Sequence, residues 1–578
     1  MSPRPLTENI PEHLLPYIAK QDASLYTPID HASWRFILRV SREFFSKNAH
    51  QKYVDGLKET GISTERIPLI EEMDHCLRRF GWRAVAVSGF IPPAAFMEFQ
   101  SLGILPIACE MRTLDHLAYT PAPDIVHEAA GHAPIIADPE YAEYLRNYGE
   151  VSRKAIFSNK DMGTYEAIRD LSVVKEDPTS TPVEVAASQS RLDAALASVD
   201  YISEANYLSR MNWWTVEYGL VGTLAEPKIY GAGLLSSVGE SFNCLKPEVK
   251  KIPLSLSCLD VSYDITRPQP QLFVTPDFHT LTVILREFEK TMAFCVGGRE
   301  ALDKAKKAAS LTTTVLDSGI QISGIHQDYI TDSRGKISYL KYSGPTQLSF
   351  GDHEIADQGP KYHVEGFSTC VGVLVGIGKS PADLSEAELV GLKALHFESG
   401  ITVQGDLKKY LRKNGKNLIL SFENCTVKNG SEILFQPAWG TFDLACGENV
   451  ISVFGGAADR SNYIFGTTGV LKLVSHPKTN ATELNLELGA LYLQVRMLRE
   501  SGRERPNLAS ELSRIHETLE KKYSDDWLLR LELLELNKNF ELHAGWEKTI
   551  EARLMEISAN AEDRRNMITR GLRLIRSE

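Results

Sequence analysis

Apolar residues in the first 300 positions recur three and four apart, the spacing of one helical face. Trp34-Arg-Phe-Ile-Leu-Arg-Val40 and Tyr141-Ala-Glu-Tyr-Leu-Arg-Asn-Tyr148 show it most clearly. Pro92-Pro93 and the glycine-rich Tyr230-Gly-Ala-Gly-Leu-Leu-Ser-Ser237 interrupt the pattern and read as loops or short strands. Residues 174–195 read as a surface loop leading into a helix, and Leu281 to Phe294 as a last amphipathic helix. From about 315 to 470 the pattern changes to short apolar runs between glycines and polar turns: Ile337–Tyr342, Cys370–Val375, Leu418–Phe422 and Val450–Phe454. Helical spacing returns from 475 to 578, with Leu484, Leu488, Leu491, Val495 and Leu498 in one stripe and a denser run from Trp527 to Leu536.

These textures predict a mainly α catalytic domain over residues 1–310, a β-rich domain over 315–470 and a helical carboxy-terminal region over 475–578. The two carboxy-terminal stripes read first as core of a helical hairpin or bundle, with a homo-oligomer interface as the alternative.

Composition narrows the function. The formal net charge is −12 and the pI about 5.8. A whole-chain acidic balance argues against nucleic acid or an anionic membrane as partner, because both need a concentrated basic face. No apolar run follows Met1-Ser-Pro-Arg-Pro, and none reaches the length of a membrane span, so the expected location is cytoplasmic. The eight cysteines are scattered without a C-x-x-C pair, which fits reduced thiols.

The chemistry concentrates in Pro121-Ala-Pro-Asp-Ile-Val-His127-Glu-Ala-Ala-Gly-His132-Ala-Pro134. His127 and His132 are five apart, which on a straight α-helix directs them about 140° from each other. They therefore do not form the i, i+4 pair of an H-E-x-x-H zinc site. Gly131 and Pro134 place the second histidine where the helix ends or distorts, so that one metal could be reached from both. Asp124 is placed to fix an imidazole tautomer or to cap the helix. With Glu217 as third ligand, two histidines and one carboxylate make a facial triad that leaves coordination positions open, the arrangement of non-haem Fe(II) oxygenases. The rival reading is a zinc hydrolase with Glu128 as general base.

Several separated motifs carry a family resemblance. They are Val85-Ala-Val-Ser-Gly-Phe-Ile-Pro-Pro-Ala-Ala-Phe96, Arg112, Tyr119 through His132, Trp213-Trp-Thr-Val-Glu217 and Tyr230 through Glu240. In this order, the stretch from about Tyr26 to Phe294 resembles the catalytic domain of the pterin-dependent aromatic amino acid hydroxylases, and phenylalanine hydroxylase most of all. The resemblance implies Fe(II) held by His127, His132 and Glu217. It places a tetrahydropterin against Gly89, Ile91, Phe96 and Met97, with Glu128 near its edge, and a flat bicyclic ring suits stacking on Phe96. It sets Arg112 against the substrate carboxylate, a task for a planar two-point donor. Thr120, Pro121, Trp213, Ser236 and Ser237 complete the implied pocket. The implied reaction splits O2, one oxygen going to the pterin and the other to the ring of an aromatic amino acid.

Several features depart from the family pattern. Pro93 stands where some relatives offer a serine hydroxyl, Asn212 replaces an aromatic seen before Trp213 in animal enzymes, and the second half replaces the usual tetramerisation tail. No regulatory domain is expected ahead of residue 26. Ile265 stands where tyrosine hydroxylases are acidic, and Trp213 is not the residue typical of tryptophan hydroxylases. Both favour phenylalanine, with tyrosine or tryptophan hydroxylation as alternatives.

Overall fold

The computed structural model describes residues 10–89, 91–118, 123–176, 179–265, 267–463, 483–502, 507–559 and 561–577. A reciprocal cap starts helix α1 (Pro28–Asn48): the Thr27 side chain accepts from the Asp30 amide, and the Asp30 carboxylate accepts from the Thr27 amide. Every residue from Ala32 to Leu38 is buried, so α1 is covered all round rather than along one stripe.

Strand β1 (Arg83–Val87) pairs in parallel with β2 (Ile104–Ala108) across the intervening helix α2 (Pro93–Ser101). Pro92-Pro93 thus starts a helix rather than interrupting one, because proline lacks an N–H where the first turn has no acceptor for it. Helix α3 (Pro139–Ser152) packs on α2. The segment 174–195, expected as a surface loop leading into a helix, does lead into helix Pro182–Ala197, which begins at a Thr181–Glu184 capping box, while the preceding helix Asn159–Glu176 reaches into its start. Residues 177 and 178 lie outside the described residues.

After β3 (Leu220–Gly222) and β4 (Pro227–Ile229), the glycine-rich stretch forms one turn of helix, α4 (Ala232–Leu235), and then α5 (Val238–Asn243) with Ser237 as its cap. Its ends, Tyr230–Gly231 and Ser236–Ser237, remain non-helical as a loop would be, but its middle is helix rather than strand, since the glycines permit close packing without breaking helical geometry. β5 (Lys250–Pro253) and β6 (Gln271–Thr275) complete a four-stranded sheet ordered β4-β3-β6-β5. The apolar run 281–294 divides between helix Phe278–Glu289 and a separate turn Ala293–Val296.

The β-rich region holds β7 (Leu311–Leu316), β8 (Ile320–Thr331), β9 (Ile337–Phe350), β10 (His353–Glu354), β11 (Gly366–Cys370), β12 (Ala394–His396), β13 (Ile401–Lys413), β14 (Lys416–Asn429), β15 (Glu432–Phe435), β16 (Phe442–Ala445) and β17 (Val450–Gly455). One antiparallel sheet runs β10-β9-β8-β7-β17 with β11 added on β9; the other runs β12-β13-β14-β15 with β16 on β14. They share a core of Ile320, Ile322, Leu348, Leu418, Ile419 and Ala445. The strand expected over Cys370–Val375 ends at Cys370, and at Gly372 the backbone leaves the extended region with φ +129°.

The carboxy-terminal helices are α6 (Glu483–Ser501), α7 (Leu508–Lys522), α8 (Leu528–Asn539), α9 (Glu547–Ser558) and α10 (Glu562–Ser577). Leu491, Val495 and Leu498 of the stripe are buried and Leu488 half-buried, while the Leu484 side chain lies outside the described residues. These helices do not build a core of their own. Their apolar residues form one cluster with those of α1 and the rest of the amino-terminal region. Trp527 meets Phe36 edge-on at 5.1 Å. Arg35, 6% exposed, donates both terminal nitrogens to Glu535 at 2.6 Å, and Arg39 and Arg499 join the same acidic group at Glu535 and Glu532. Among the described residues no helix is long and apolar enough to cross a membrane, and all eight cysteines are free.

Candidate active site

Both segments that bear candidate ligands are π-helical: Val126–His132 and Trp213–Glu217. The Ala133 amide donates to Glu128 O, and the Tyr218 amide to Trp213 O at 2.8 Å. In this winding each residue bonds the fifth along, so a spacing that diverges on an α-helix comes back to one face. The five-residue interval between His127 and His132 is thus resolved by winding; the helix does not end at His132 but continues into Ala133–Ile136. Gly131 permits a second close approach. A Cβ there would sit 2.7 Å from Ala232 O and 3.1 Å from Ala232 Cβ, so only glycine lets α4 lie against the histidine turn.

Three side chains converge at this point. His127 Nε2 and His132 Nε2 are 3.2 Å apart, His127 Nε2 is 3.3 Å from Glu217 Oε2, and His132 Nε2 is 3.4 Å from Glu217 Oε1. Donors about 2.1 Å from a shared ion lie about 3.0 Å apart at right angles and about 3.4 Å apart at tetrahedral angles. The triangle therefore fits a divalent ion held on one face. Two imidazole nitrogens and a carboxylate in such contact are a donor set that one divalent metal ion would satisfy together. His127, Glu128 and His132 also lie within 4.8 Å of one another, but Glu128 Oε2 is 3.9 Å from His132 Nε2, farther than Glu217.

Burial dominates the electrostatics. It lowers His127 to about 4 and pushes Glu128 up to about 8. Burial also opposes the charged forms of His132 and Glu217, but their mutual attraction prevails: His132 is raised, and the two imidazoles hold Glu217 at about 2. The Asn212 side chain donates to Glu217 Oε1 at 3.4 Å.

The protonation of His127 follows from Ser236. The Ser236 hydroxyl donates to Ala232 O at 2.8 Å, so it has no proton left for His127 Nδ1 at 3.0 Å and accepts from it. Nδ1 then carries the hydrogen and Nε2 offers its lone pair to the triangle. Asp124 does not touch the ring, and the tautomer role expected of it belongs to Ser236. Its Oδ1 instead accepts the His127 amide at 3.0 Å, the capping alternative.

Arg112 is buried, and three of its five N–H groups are engaged: Nε and Nη2 donate to Asp124 at 2.8 and 2.7 Å, and Nη1 to Ser236 O at 2.9 Å. Two remain for a carboxylate. Burial alone would raise Asp124, yet the facing guanidinium keeps it below its usual range.

Glu110, which the sequence did not single out, joins two parts of the site. Its carboxylate accepts from Ser88 Oγ at 2.8 Å and from the Gly89 amide at 3.1 Å, and its carbonyl accepts from the Ile125 amide at 2.8 Å at the entry to the histidine turn. Ile91 is buried, and Phe96 is partly buried against the same cluster of Val87, Ala95 and Phe99. Met97 packs on the main core. Trp213 does not present a bare face: it lies between Tyr218 at 4.5 Å and Tyr263 at 4.4 Å, both stacked. Ser237 caps α5 and donates to Ala118 O at 3.1 Å. Thr120 and Pro121 lie outside the described residues.

Residues 18–162 and 184–298 match the family model of the biopterin-dependent aromatic amino acid hydroxylases. The phenylalanine-4-hydroxylase of Pseudomonas aeruginosa is 29% identical over 264 residues, 45% of this chain and 84% of that protein. The Ralstonia nicotianae enzyme of the same name is 27% identical over 275 residues, 47% of this chain and 71% of that protein. A crystal structure of the Chromobacterium violaceum phenylalanine hydroxylase with bound iron(III) and 7,8-dihydrobiopterin is 25% identical, covering 47% of this chain and 85% of that one at a TM-score of 0.37. A zinc hydrolase is not favoured by these matches. Residues 18–162 and 184–298, which carry the His127, His132 and Glu217 triangle, are thus similar throughout to the biopterin-dependent aromatic amino acid hydroxylase family.

Proposed function

We propose that this protein hydroxylates the ring of phenylalanine to form tyrosine, using O2, a tetrahydropterin and Fe(II) held by His127, His132 and Glu217. The observation that carries the reading is the donor triangle with edges of 3.2, 3.3 and 3.4 Å. Bound Fe(II) and a reduced pterin together supply the electrons with which O2 is split.

The chain's own residues bind, orient and exclude water. Ser236 keeps His127 in the tautomer that offers Nε2. Arg112, stiffened by Asp124, directs its two remaining N–H groups to the amino acid carboxylate. Phe96 offers a ring to the pterin, with Gly89, Ile91 and Met97 around it and Glu128 at its edge. Trp213, stacked between Tyr218 and Tyr263, lends the edge of this aromatic group to the substrate pocket beside Ser237. Holding ring, pterin and metal in register is the protein's share of the rate enhancement. In this reading residues 1–310 are the catalytic domain, 315–470 a β-rich domain and 475–578 a helical region that completes the core.

The test is oxygen uptake with tetrahydropterin and Fe(II) in the presence of phenylalanine, tyrosine or tryptophan, with product identification. Tyrosine formation from phenylalanine is the expected result. Uptake without any hydroxylated amino acid, or none at all, would sink the reading.

A further inference from the structure

Arg570 on α10 is half-buried and has no carboxylate partner among the described residues. Its Nη1 donates to Val238 O, and its guanidinium carbon lies 3.6 Å from the centroid of the Phe242 ring. Phe242 in turn stacks on Phe44 of α1, with centroids 3.8 Å apart. Other arginines of α10 behave differently: Arg573 and Arg576 are exposed and face Glu43 and Glu551. A half-buried guanidinium applied to one carbonyl and one aromatic face fixes a place rather than balancing a charge.

Val238 is the first residue of α5, and the two residues before it reach the active site. Ser236 sets the His127 tautomer through its hydroxyl and takes Arg112 Nη1 on its carbonyl. Ser237 ties the same segment to Ala118 O. Arg570 is itself held firmly, because its neighbour Gly571 is a point of close helix contact. A Cβ there would lie 2.5 Å from Leu531 Cδ1 and 3.1 Å from Phe36 Cε2, so α10 has little room to slide between α8 and α1.

We infer that Arg570 is a positioning residue for the active site: the carboxy-terminal helices hold the Ser236–Val238 segment through it, and that segment aligns His127 and Arg112. The inference rests on the metal and substrate reading above. It assigns to a part of the chain outside the family match a role in setting the geometry within it.

The test uses the full-length chain with Arg570→Ala, Arg570→Lys, Arg573→Ala as a surface control on the same helix, and Ser236→Ala as a control within the site. Co(II) affinity is read from its visible spectrum, KM for the amino acid is separated from kcat, and Tm is followed in parallel. Arg570→Ala is expected to weaken Co(II) binding and raise KM by about 10-fold, the scale of losing a group that orients a ligand, with a small fall in Tm. Lysine still reaches the carbonyl and the ring, so Arg570→Lys restores most of both, and Arg573→Ala behaves as the native protein. If Arg570→Ala does not fold, Arg570→Met keeps the apolar stem and is read in its place. Unchanged Co(II) affinity and KM, with or without a lower Tm, overturn the inference while Ser236→Ala remains impaired. If Ser236→Ala also binds Co(II) and substrate normally, the site reading itself falls.

Discussion

Arg112 and Asp124 form a buried two-point ion pair, with side chains 1% and 3% exposed. The same carboxylate also accepts the Arg112 and His127 backbone amides. Asp124→Ala would leave a guanidinium uncompensated in the core, a loss of about 3–5 kcal/mol. Urea unfolding measures it, and Asp124→Asn, which keeps an acceptor oxygen, should lose less. A loss under about 1 kcal/mol, the scale of a surface pair, would show that the charge finds water instead.

Glu217 and Glu128 compete for the ligand role, and distance separates them. Glu217→Ala is expected to weaken Co(II) binding by more than about 100-fold, beyond the effect of losing an outer partner. Glu128→Gln should retain the metal and alter KM for the pterin. The opposite order, read by metal titration, would transfer the ligand assignment to Glu128.

Gly131→Ala sets two effects against each other. Alanine gains about 1 kcal/mol in helix propensity, but its Cβ meets the Ala232 backbone rather than a flexible side chain, and overpacking costs about 1–3 kcal/mol. A lower Tm together with weaker Co(II) binding is expected. A more stable variant with intact metal affinity would contradict the close approach.

Glu98 lies between His13 at 3.0 Å and Arg460 at 2.6 Å, joining α2 to the segment after β17. Burial opposes its ionisation, but the hydrogen bond to His13 and the Arg460 guanidinium hold it at about 2. Its folded pKa is below the unfolded value near 4.3, so the stabilisation is complete above that value and is lost as pH falls from about 4.3 toward about 2. The full amount is at most about 3 kcal/mol. Glu98→Gln should flatten the dependence of stability on pH in that window and lower stability at neutral pH. An unchanged acid profile would show that the triad contributes nothing.

Residues 1–310 expressed alone should be insoluble or inactive. Removing the later chain uncovers the α1 face that bears Phe36 and strips Arg35 of Glu535. Solubility and oxygen uptake of the fragment measure this, and a soluble fragment with full turnover would show that the shared core is dispensable.

The histidine turn shows how far residue spacing could be read. An interval of five excluded the zinc-protease pair and pointed to a distortion, but spacing alone could not distinguish a helix end from a π winding, since both bring the rings together. Ser236 was legible as a pocket residue from its motif. Its control of the His127 tautomer was not, because that depends on Ala232 O taking the only hydroxyl proton. The motif singled out Trp213 only as an expected pocket aromatic, whereas its place between Tyr218, which ends its own turn, and Tyr263 comes from the tertiary structure.

The sequence by itself determined the change from helical to strand periodicity near 315, the return to helix after 475, and the metal-binding residue types in their family order. These are local properties, set by side-chain period and by short motifs. Tertiary structure alone decided where the carboxy-terminal helices dock. An apolar stripe records that a face must be buried but not which partner buries it, and here the partner is α1, with Glu535 on Arg35 and Arg570 reaching across to α5.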